Sequence, residues 1–268
     1  MMDLMRMVAL YVNDGYSDLM ARARVCQDVV LKAISESSMS KNITIKGGVV
    51  MRSISGDMRR ATRDIDLDFL RFSIEEAAIR DFVMKINCIE DLSIDIEGPI
   101  EELSQHEYRG KRIWIVITDR KGHSLKSKMD LGVHKNIQIE QEEYCFDVCH
   151  DAEGVSLLMN TTEQIFAEKL RALVKFGTFT GRYKDIFDLC YLAGHTEDNR
   201  LIECIHTYIL DDTDMFEDSM DDIRKRLEKI FSDKKFVKNL ARSTKDNWLG
   251  IDESEAFMSL QTRLEKLN

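Results

Sequence analysis

The chain has 268 residues, of which 44% are hydrophobic and 32% are charged, and its formal net charge is −10. This composition is typical of a soluble globular protein, so disorder is not the default expectation. No apolar run approaches the roughly 18 residues of a membrane helix. The acidic balance argues against a broad electrostatic grip on duplex DNA, since such binding comes largely from neutralised phosphates, but it leaves room for a local basic site.

The N-terminus and the cysteines predict a cytoplasmic protein. The N-terminal segment has acidic residues inside its apolar part and no small-residue cleavage site, so it does not resemble a signal peptide. The six cysteines are scattered and are expected to be reduced thiols. Cys145, Cys149 and His150 form a CxxxCH cluster, but a zinc site needs about four ligands and no second pair supplies them. A zinc site is therefore not expected.

The first part of the chain alternates helical and β patterns. In chain order these predict a helix over 17–37, a strand over 42–46, a helix that follows Gly47–Gly48 and ends near Gly56, a strand over 63–70 and a helix over 74–87. From residue 92 to about residue 159 the patterns are mostly those of strands.

After Asn160 the patterns are helical to the end of the chain. They predict helices over 162–176, 183–193, 198–210, 217–231, 233–247 and 253–267. A mixed part followed by an all-helical part predicts an α/β (α+β) fold, with a mixed sheet core and a helical C-terminal region. We therefore expect two domains, residues 1–160 and residues 161–268.

Three aspartates alternate along the strand predicted over 63–70. Side chains two residues apart share a face of a strand, so Asp64, Asp66 and Asp68 lie together while apolar residues pack on the other side. Such neighbouring carboxylates need positive charge among them, from arginines or from a metal ion. Oxygen ligands suit Mg²⁺ or Mn²⁺. The alternative is a solvated face paired with the preceding arginines, Arg59, Arg60 or Arg63.

The Gly47–Gly48 turn favours the metal interpretation. A glycine turn between a strand and a helix exposes amide N–H groups at the helix N-terminus, where a phosphate can bind. A phosphate-binding turn beside a pair of metal-binding carboxylates is what the chemistry of nucleoside triphosphates requires. The glycine pair and the sequence Asp64-x-Asp66 together therefore predict a nucleotide site.

A third carboxylate, Asp130, lies in the strand pattern SLKSKMDLGV. Alternation places Lys126, Lys128 and Asp130 on the face opposite the apolar residues. A carboxylate on a separate strand suits a two-metal site, where it helps to activate an attacking hydroxyl. The equal alternative is that Asp130 is only a partner for Lys128.

The helices predicted over 162–176 and 183–193 carry charged residues on apolar surfaces. Lys169 falls inside an apolar stripe, so it must snorkel to solvent or meet an anion. That anion could be a nucleotide phosphate or a structural partner. Asp185 and Asp188 also need partners, for which Lys169 and Arg182 are the candidates.

Taken together, these residues resemble the AbiEii-type nucleotidyltransferase toxins, within the DNA polymerase beta-like nucleotidyltransferase superfamily. Their order and spacing fit that family from about residue 43 to residue 193. The matching segments are KGG (46–48), RDIDLDF (63–69), KMDLG (128–132), AEKLRAL (167–173) and RYKDIFDL (182–189).

The resemblance implies a sheet core that carries the triphosphate site, and a helical C-terminal part. The expected metal ligands are Asp64, Asp66 and Asp130, the last at the family's more variable acidic position, and the expected cofactor is Mg²⁺ or Mn²⁺. The residues expected to act in catalysis are Asp64, Asp66, Asp130, Lys169 and Asp185. Those expected to bind the nucleotide are Lys46, Gly47, Gly48, Lys169 and Arg182.

The implied function is a growth-arresting toxin that transfers a nucleotide from a nucleoside triphosphate to an RNA acceptor, which in some members is the 3′ end of tRNA, and is restrained by an antitoxin. No membrane partner is expected. The chain departs from many relatives after Gly48, where Val49 and Val50 stand in place of Ser or Thr. Two other interpretations stay open: transfer to a small molecule or a protein, and a non-catalytic module that senses nucleotide.

Overall fold

The structure is a computed structural model that describes residues 2–103, 110–134, 136, 138–149 and 151–267. The chain divides into two compact units, Met1–Asn160 and Thr161–Asn268. The first unit combines a sheet with helices, and the second unit is helical.

The first unit is built on a seven-stranded mixed sheet. Its strands are β1 (Ile43–Lys46), β2 (Ile65–Phe69), β3 (Leu92–Leu103), β4 (Gly110–Asp119), β5 (Ser124–Val133), β6 (Glu142–Val148) and β7 (Asp151–Met159). Their order in the sheet is β3-β4-β5-β2-β1-β7-β6. Strand β1 pairs antiparallel with β2 and parallel with β7, and β2 pairs parallel with β5. This mixed sheet confirms the predicted α/β fold class.

The helices of the first unit are α1 (Leu4–Asn13), α2 (Asp18–Glu36), α3 (Gly47–Ser55) and α4 (Glu76–Ile86). Helices α2 and α4 contact the sheet and each other. Helix α3 begins at the predicted glycine pair and ends at Gly56, whose φ of +64° is the left-handed conformation that favours glycine at a helix end.

Strand β2 has one apolar face and one polar face, as its alternating sequence predicts. Ile65, Leu67 and Phe69 are buried in the core, whereas Asp66 on the other face is half-buried. Burying these large apolar side chains fixes the register of β2, because a shift by one residue would turn the aspartates into the core.

Helix α1 is an element that the sequence patterns did not predict. Asp3 caps it by accepting hydrogen bonds from the backbone N–H groups of Met5 and Arg6. The N–H of Leu4 donates to the buried carboxylate of Asp119, at the end of β4, over 3.1 Å. This anchor lies 115 residues away in the chain, which is why local patterns could not reveal it.

The second unit consists of α5 (Thr162–Phe176), α6 (Tyr183–Ala193), α7 (Asp198–Ile205), α8 (Met220–Ser232), α9 (Lys234–Arg242) and α10 (Glu253–Glu265). All six lie where helices were predicted. The main difference is at α9, which ends at Arg242 rather than near residue 247. The chain turns there, because the side-chain amide of Asn247 donates to the carbonyl of Ile251 over 2.7 Å and Trp248 is buried.

Among the described residues, no helix combines the length and the apolar character that crossing a membrane would require.

Candidate active site

Strands β2 and β5 bring the predicted carboxylates of the first unit onto one face of the sheet. The two strands are parallel, and their register sets Asp66 directly beside Asp130. Asp64 lies immediately before β2 and shares the face of Asp66, because side chains alternate along an extended chain. Three carboxylates thus project from neighbouring strands on the polar side of the sheet.

Two of these carboxylates are held by cations from the same face. Nζ of Lys128, in β5, lies 2.7 Å from a carboxylate oxygen of Asp64. The guanidinium of Arg112, in β4, donates two hydrogen bonds of 2.8 and 2.9 Å to Asp130. Lys128 therefore pairs with Asp64 and not with Asp130, the partner that the alternative interpretation of the sequence assigned to it.

The third aspartate of the motif, Asp68, forms an ion pair with Lys46. Nζ of Lys46 lies 2.6 Å from a carboxylate oxygen of Asp68, which is buried. Of the three arginines before the motif, Arg59 pairs with Asp57 over 2.7 Å and so is not the partner that the alternative interpretation gave it. The described cations beside the aspartate face come from β1, β4 and β5.

The charge of Asp66 is disfavoured by its surroundings. Its pKa is raised above the ordinary value, chiefly because the side chain is desolvated. Lys46 and the backbone N–H of Gly48 lower the pKa, while the negative charges of Asp130 and Asp64 raise it. A further cation entering this site would relieve the repulsion among the three carboxylates.

The Gly47–Gly48 turn packs against this site so closely that it tolerates no side chain. Gly47 has a φ of +63°, and a Cβ there would lie 2.4 Å from a carboxylate oxygen of Asp66. A Cβ on Gly48 would lie 2.6 Å from Cβ and Oγ1 of Thr62. The glycines therefore let the N-terminus of α3 approach Asp66, and the N-cap residue Lys46 makes no side-chain hydrogen bond to its amides.

The residues present fit an oxygen-preferring divalent cation. Asp64 and Asp130 retain 43% and 16% of their side-chain exposure, so both are reachable from solvent. Carboxylates alone form the donor set, which suits Mg²⁺ or Mn²⁺. Because Lys128 occupies Asp64, a cation that binds Asp64 and Asp66 must displace that ammonium group.

The second unit contains a separate cluster around Lys169, which lies in α5 and is buried. Its Nζ lies 2.5 Å from Asp185 and 2.9 Å from Asp188, both in α6. Arg182 lies 2.7 Å from the other oxygen of Asp185. The prediction that Lys169 and Arg182 are the partners of these two aspartates is confirmed.

Asp188 is fully buried and also accepts a hydrogen bond of 3.0 Å from the indole N–H of Trp248. The carboxylate thereby joins α5, α6 and the segment before α10. This cluster has the geometry of a structural ion pair, and a nucleotide role for Lys169 remains an expectation from the sequence.

Comparison with known proteins identifies the family. A family profile described as "Nucleotidyl transferase AbiEii toxin, Type IV TA system" matches residues 29–255, most of the chain.

The chain belongs to the AbiEii nucleotidyltransferase toxin family.

It is accordingly a nucleotidyltransferase, of a family that acts in type IV toxin–antitoxin systems. A solved structure from H. pylori, assigned as a nucleotidyltransferase, is similar at 13% identity and a TM-score of 0.49, over 94% of this chain and 95% of that one. Among curated proteins, none matches the chain.

A second group of potential metal ligands in this AbiEii-family chain is an internal anchor. Among the described residues, Asp3, Asp119 and His123 are the group whose ligand atoms all lie within 4.8 Å of one another. Burial opposes ionisation of Asp119, but hydrogen bonds from His123, Leu4 and Lys121 hold its pKa below the ordinary value. The oxygens of this group are therefore already used to fasten α1 to the end of β4.

The CxxxCH cluster is described only in part. The exposed thiol of Cys145 donates to the carbonyl of Glu153 over 3.2 Å, and Cys149 is half-buried. His150 lies outside the described residues.

The basic residues late in the sequence are largely neutralised within the second unit. Lys169 and Arg182 pair as described above, and Arg171 pairs with Asp212 over 2.6 Å. Three cations of this region, Lys169, Arg171 and Arg182, therefore have carboxylate partners in the structure.

Sequence reasoning missed the role of two cations at the carboxylate site. Arg112 lies in a strand that reads as an ordinary apolar alternation, and only its register opposite Asp130 reveals its position. Lys128 was placed on the correct face, but its pairing with Asp64 depends on the parallel contact between β2 and β5.

Proposed function

We propose that this protein is a Mg²⁺- or Mn²⁺-dependent nucleotidyltransferase toxin that transfers a nucleotide from a nucleoside triphosphate to an RNA acceptor, the 3′ end of tRNA. The observation that carries the proposal is the group of Asp64, Asp66 and Asp130 on neighbouring strands, beside the close-packed Gly47–Gly48 turn. The first unit is then the nucleotidyltransferase core, and a cognate antitoxin is the expected restraining partner.

The residues of the first unit divide the chemistry among them. Asp64 and Asp66 are proposed as the ligands of the divalent cation, and the chemistry that such a cation supplies is neutralisation of charge on the phosphate being transferred. Asp130 accepts the proton of the acceptor hydroxyl as that oxygen bonds to the α-phosphorus and the bond to pyrophosphate breaks. Arg112 orients Asp130 through its two hydrogen bonds.

A turnover role for Lys169 and Asp185 rests on the resemblance in sequence. What the structure contributes is their direct contact, together with that of Arg182. Lys169→Met and Asp185→Asn test this role, provided that thermal unfolding shows each variant to be folded. Normal transfer by folded variants would leave the cluster with a purely structural role.

The RNA acceptor is also proposed from the family resemblance. The late basic residues add no separate support for it, because several of them already pair with carboxylates. A small-molecule or protein acceptor, and nucleotide binding without turnover, are the competing outcomes. They differ in where the label of a nucleoside triphosphate is found after the reaction.

The experiment incubates the protein with each α-labelled nucleoside triphosphate, Mg²⁺ and total tRNA, and then separates RNA, protein and small molecules. We expect label on tRNA, and none on tRNA whose 3′-terminal ribose has been oxidised with periodate. Label that persists with Asp66→Asn, or that appears only on protein or on a small molecule, would contradict the proposal.

A further inference from the structure

Arg52 is a buried cation that has no carboxylate partner among the described residues. It lies in α3, retains 6% of its exposure, and its Nε and Nη2 atoms are buried without any hydrogen bond. Burying a guanidinium is costly unless a carboxylate or another acceptor compensates its charge. Such a residue indicates that an anion completes its surroundings at some stage of function.

Helix geometry directs the side chain of Arg52 towards the Gly47–Gly48 turn. Residues four apart lie on the same face of a helix, so Arg52 stands one turn above Gly48. Side chains in a helix lean towards its N-terminus, so the guanidinium extends back over the turn that precedes it. In α3 that turn is the N-terminus beside Asp66, where the backbone N–H of Gly48 donates to the Asp66 carboxylate and Lys46 adds no side-chain cap.

Thr62 brings a hydroxyl group to the same place. Its Cβ and Oγ1 occupy the space that a side chain on residue 48 would need, 2.6 Å from the position of that Cβ. The buried side-chain amide of Gln27, in α2, fixes this segment by donating to the carbonyl of Thr62 over 2.9 Å. The first turn of α3 itself contains only glycines and valines, so Thr62 is the hydroxyl at this turn.

These groups offer hydrogen-bond donors and positive charge, which is the chemistry that recognises phosphate. The helix N-terminus adds amide N–H groups and the positive end of the helix dipole. Across the sheet, Asp130 lies on β5, Asp64 and Asp66 lie at β2, and α3 follows β1 on the side away from Asp130. The acceptor and the leaving phosphates therefore have opposite sides of the Asp64–Asp66 pair available to them.

We propose that Arg52 and Thr62 bind the β- and γ-phosphates of the nucleoside triphosphate, on the leaving-group side of the site. This inference rests on the proposed function. It adds two residues that the sequence motifs do not include, and it assigns to Thr62 the hydroxyl contact that Val49 cannot make. Arg52 neutralises charge on the pyrophosphate as the bond to the α-phosphorus breaks.

The test measures binding of inorganic triphosphate and of nucleoside mono- and triphosphates by calorimetry in the presence of Mg²⁺. In Arg52→Met we expect at least about tenfold weaker binding of both triphosphates. Binding of the nucleoside monophosphate should change by less than about twofold, because it lacks the β- and γ-phosphates. Thr62→Val should weaken triphosphate binding by about three- to tenfold, while Thr62→Ser should retain it.

Thermal unfolding separates a binding role from a structural one. Without ligand, Arg52→Met should unfold at the same or a higher temperature than the natural protein, because an uncompensated buried charge has been removed. A lower unfolding temperature, or unchanged triphosphate binding in Arg52→Met and Thr62→Val, would overturn the inference. Failure of the natural protein to bind any nucleoside triphosphate would overturn the proposed function instead.

Discussion

The two units each contain a cluster of aspartates and cations, and the two clusters differ in how firmly they are closed. At the sheet, Asp64 is 43% exposed and Lys128 is 20% exposed. In the helical unit, the side chains of Lys169 and Asp188 are 9% and 0% exposed. The first cluster is open to solvent, so a metal ion can replace its lysine. The Lys169–Asp188 pair of the second cluster is buried.

The difference lies in how the partners are shared. Lys128 and Arg112 each hold one carboxylate of the site, and Asp66 keeps a raised pKa. Lys169 is shared by two aspartates, and Asp188 has Trp248 as a further donor. The sheet cluster is suited to bind ligands, because carboxylates with a perturbed pKa are concentrated at functional sites. The cluster around Lys169, whose charged groups all have partners, is suited to hold helices together.

Replacing Asp66 should have the largest effect on activity. In Asp66→Asn we expect nucleotide transfer to fall at least about a thousandfold, because a charged ligand of the proposed divalent cation is lost. Folding stability should be unchanged or slightly higher, because like-charge repulsion with Asp64 and Asp130 disappears. Single-turnover assays and urea unfolding measure the two quantities.

A matched control is Asp95→Asn, which removes an exposed carboxylate from β3. It should transfer nucleotide within about twofold of the natural rate. Equal losses in the two variants would show that overall charge, and not the position of Asp66, governs transfer.

Removing Asp188 should instead act on stability. Asp188→Ala leaves Lys169 buried with one carboxylate fewer and leaves the Trp248 indole without its acceptor, so we expect a loss of about 3–5 kcal/mol in the free energy of unfolding. Urea unfolding followed by tryptophan fluorescence measures it.

The double variant Lys169→Met/Asp188→Leu sharpens the result. Replacing both charges by apolar groups of similar volume should recover most of the lost stability. If the double variant is stable but inactive, Lys169 has a role in turnover beyond the ion pair. A stable and fully active double variant would make the cluster purely structural.

Helices and strands were predicted well from the sequence where the local residue pattern alone determines them. The alternation around Asp66 and the glycines before α3 gave the strand, the turn and the helix in their observed order. Helix α1 was missed because its anchor is Asp119, which is distant in the chain. Helix α9 was predicted too long, because Asn247 and Trp248 end it through tertiary contacts.

The candidate site was predictable in part for the same reason. Asp64, Asp66 and Asp130 could be recognised from alternation, because each sits in its own strand pattern. Their partners could not, since the pairing of Arg112 with Asp130 depends on strand register. The burial of Arg52, whose Nε and Nη2 have no hydrogen-bond partner among the described residues, has no sequence signature, because an arginine in a short helix is normally solvated.

Asp28 is a buried carboxylate outside both clusters, and it shows how burial opposes ionisation even when hydrogen bonds and an ion pair are present. Asp28, in α2, accepts hydrogen bonds from Tyr11 and the N–H of Cys149 and pairs with Arg24, yet desolvation raises its pKa to about 6. The folded protein therefore holds a proton that the unfolded chain releases above about pH 4. The resulting stabilisation is complete below that pH and is lost as the pH rises through 6.

Comparison with Asp28→Asn isolates this effect. Relative to Asp28→Asn, the natural protein should lose about 2 kcal/mol of unfolding free energy between pH 4 and pH 7. Urea unfolding at several pH values measures it. Parallel stability curves for the two proteins would rule out this proton uptake by Asp28.

Replacing Lys128 should have the smallest effect on stability, and it addresses the exchange of cations directly. The pair with Asp64 is partly exposed, so Lys128→Met should change the free energy of unfolding by less than about 1 kcal/mol. Without the competing ammonium group, Asp64 and Asp66 should bind Mn²⁺ several-fold more tightly, which calorimetry with the metal alone can measure. Lys126→Met is the matched control, because it removes the same charge from the same strand face but frees Glu97 instead. Weaker Mn²⁺ binding in Lys128→Met, or equal strengthening in both variants, would mean that the sheet cluster is not a site where a metal ion replaces a lysine.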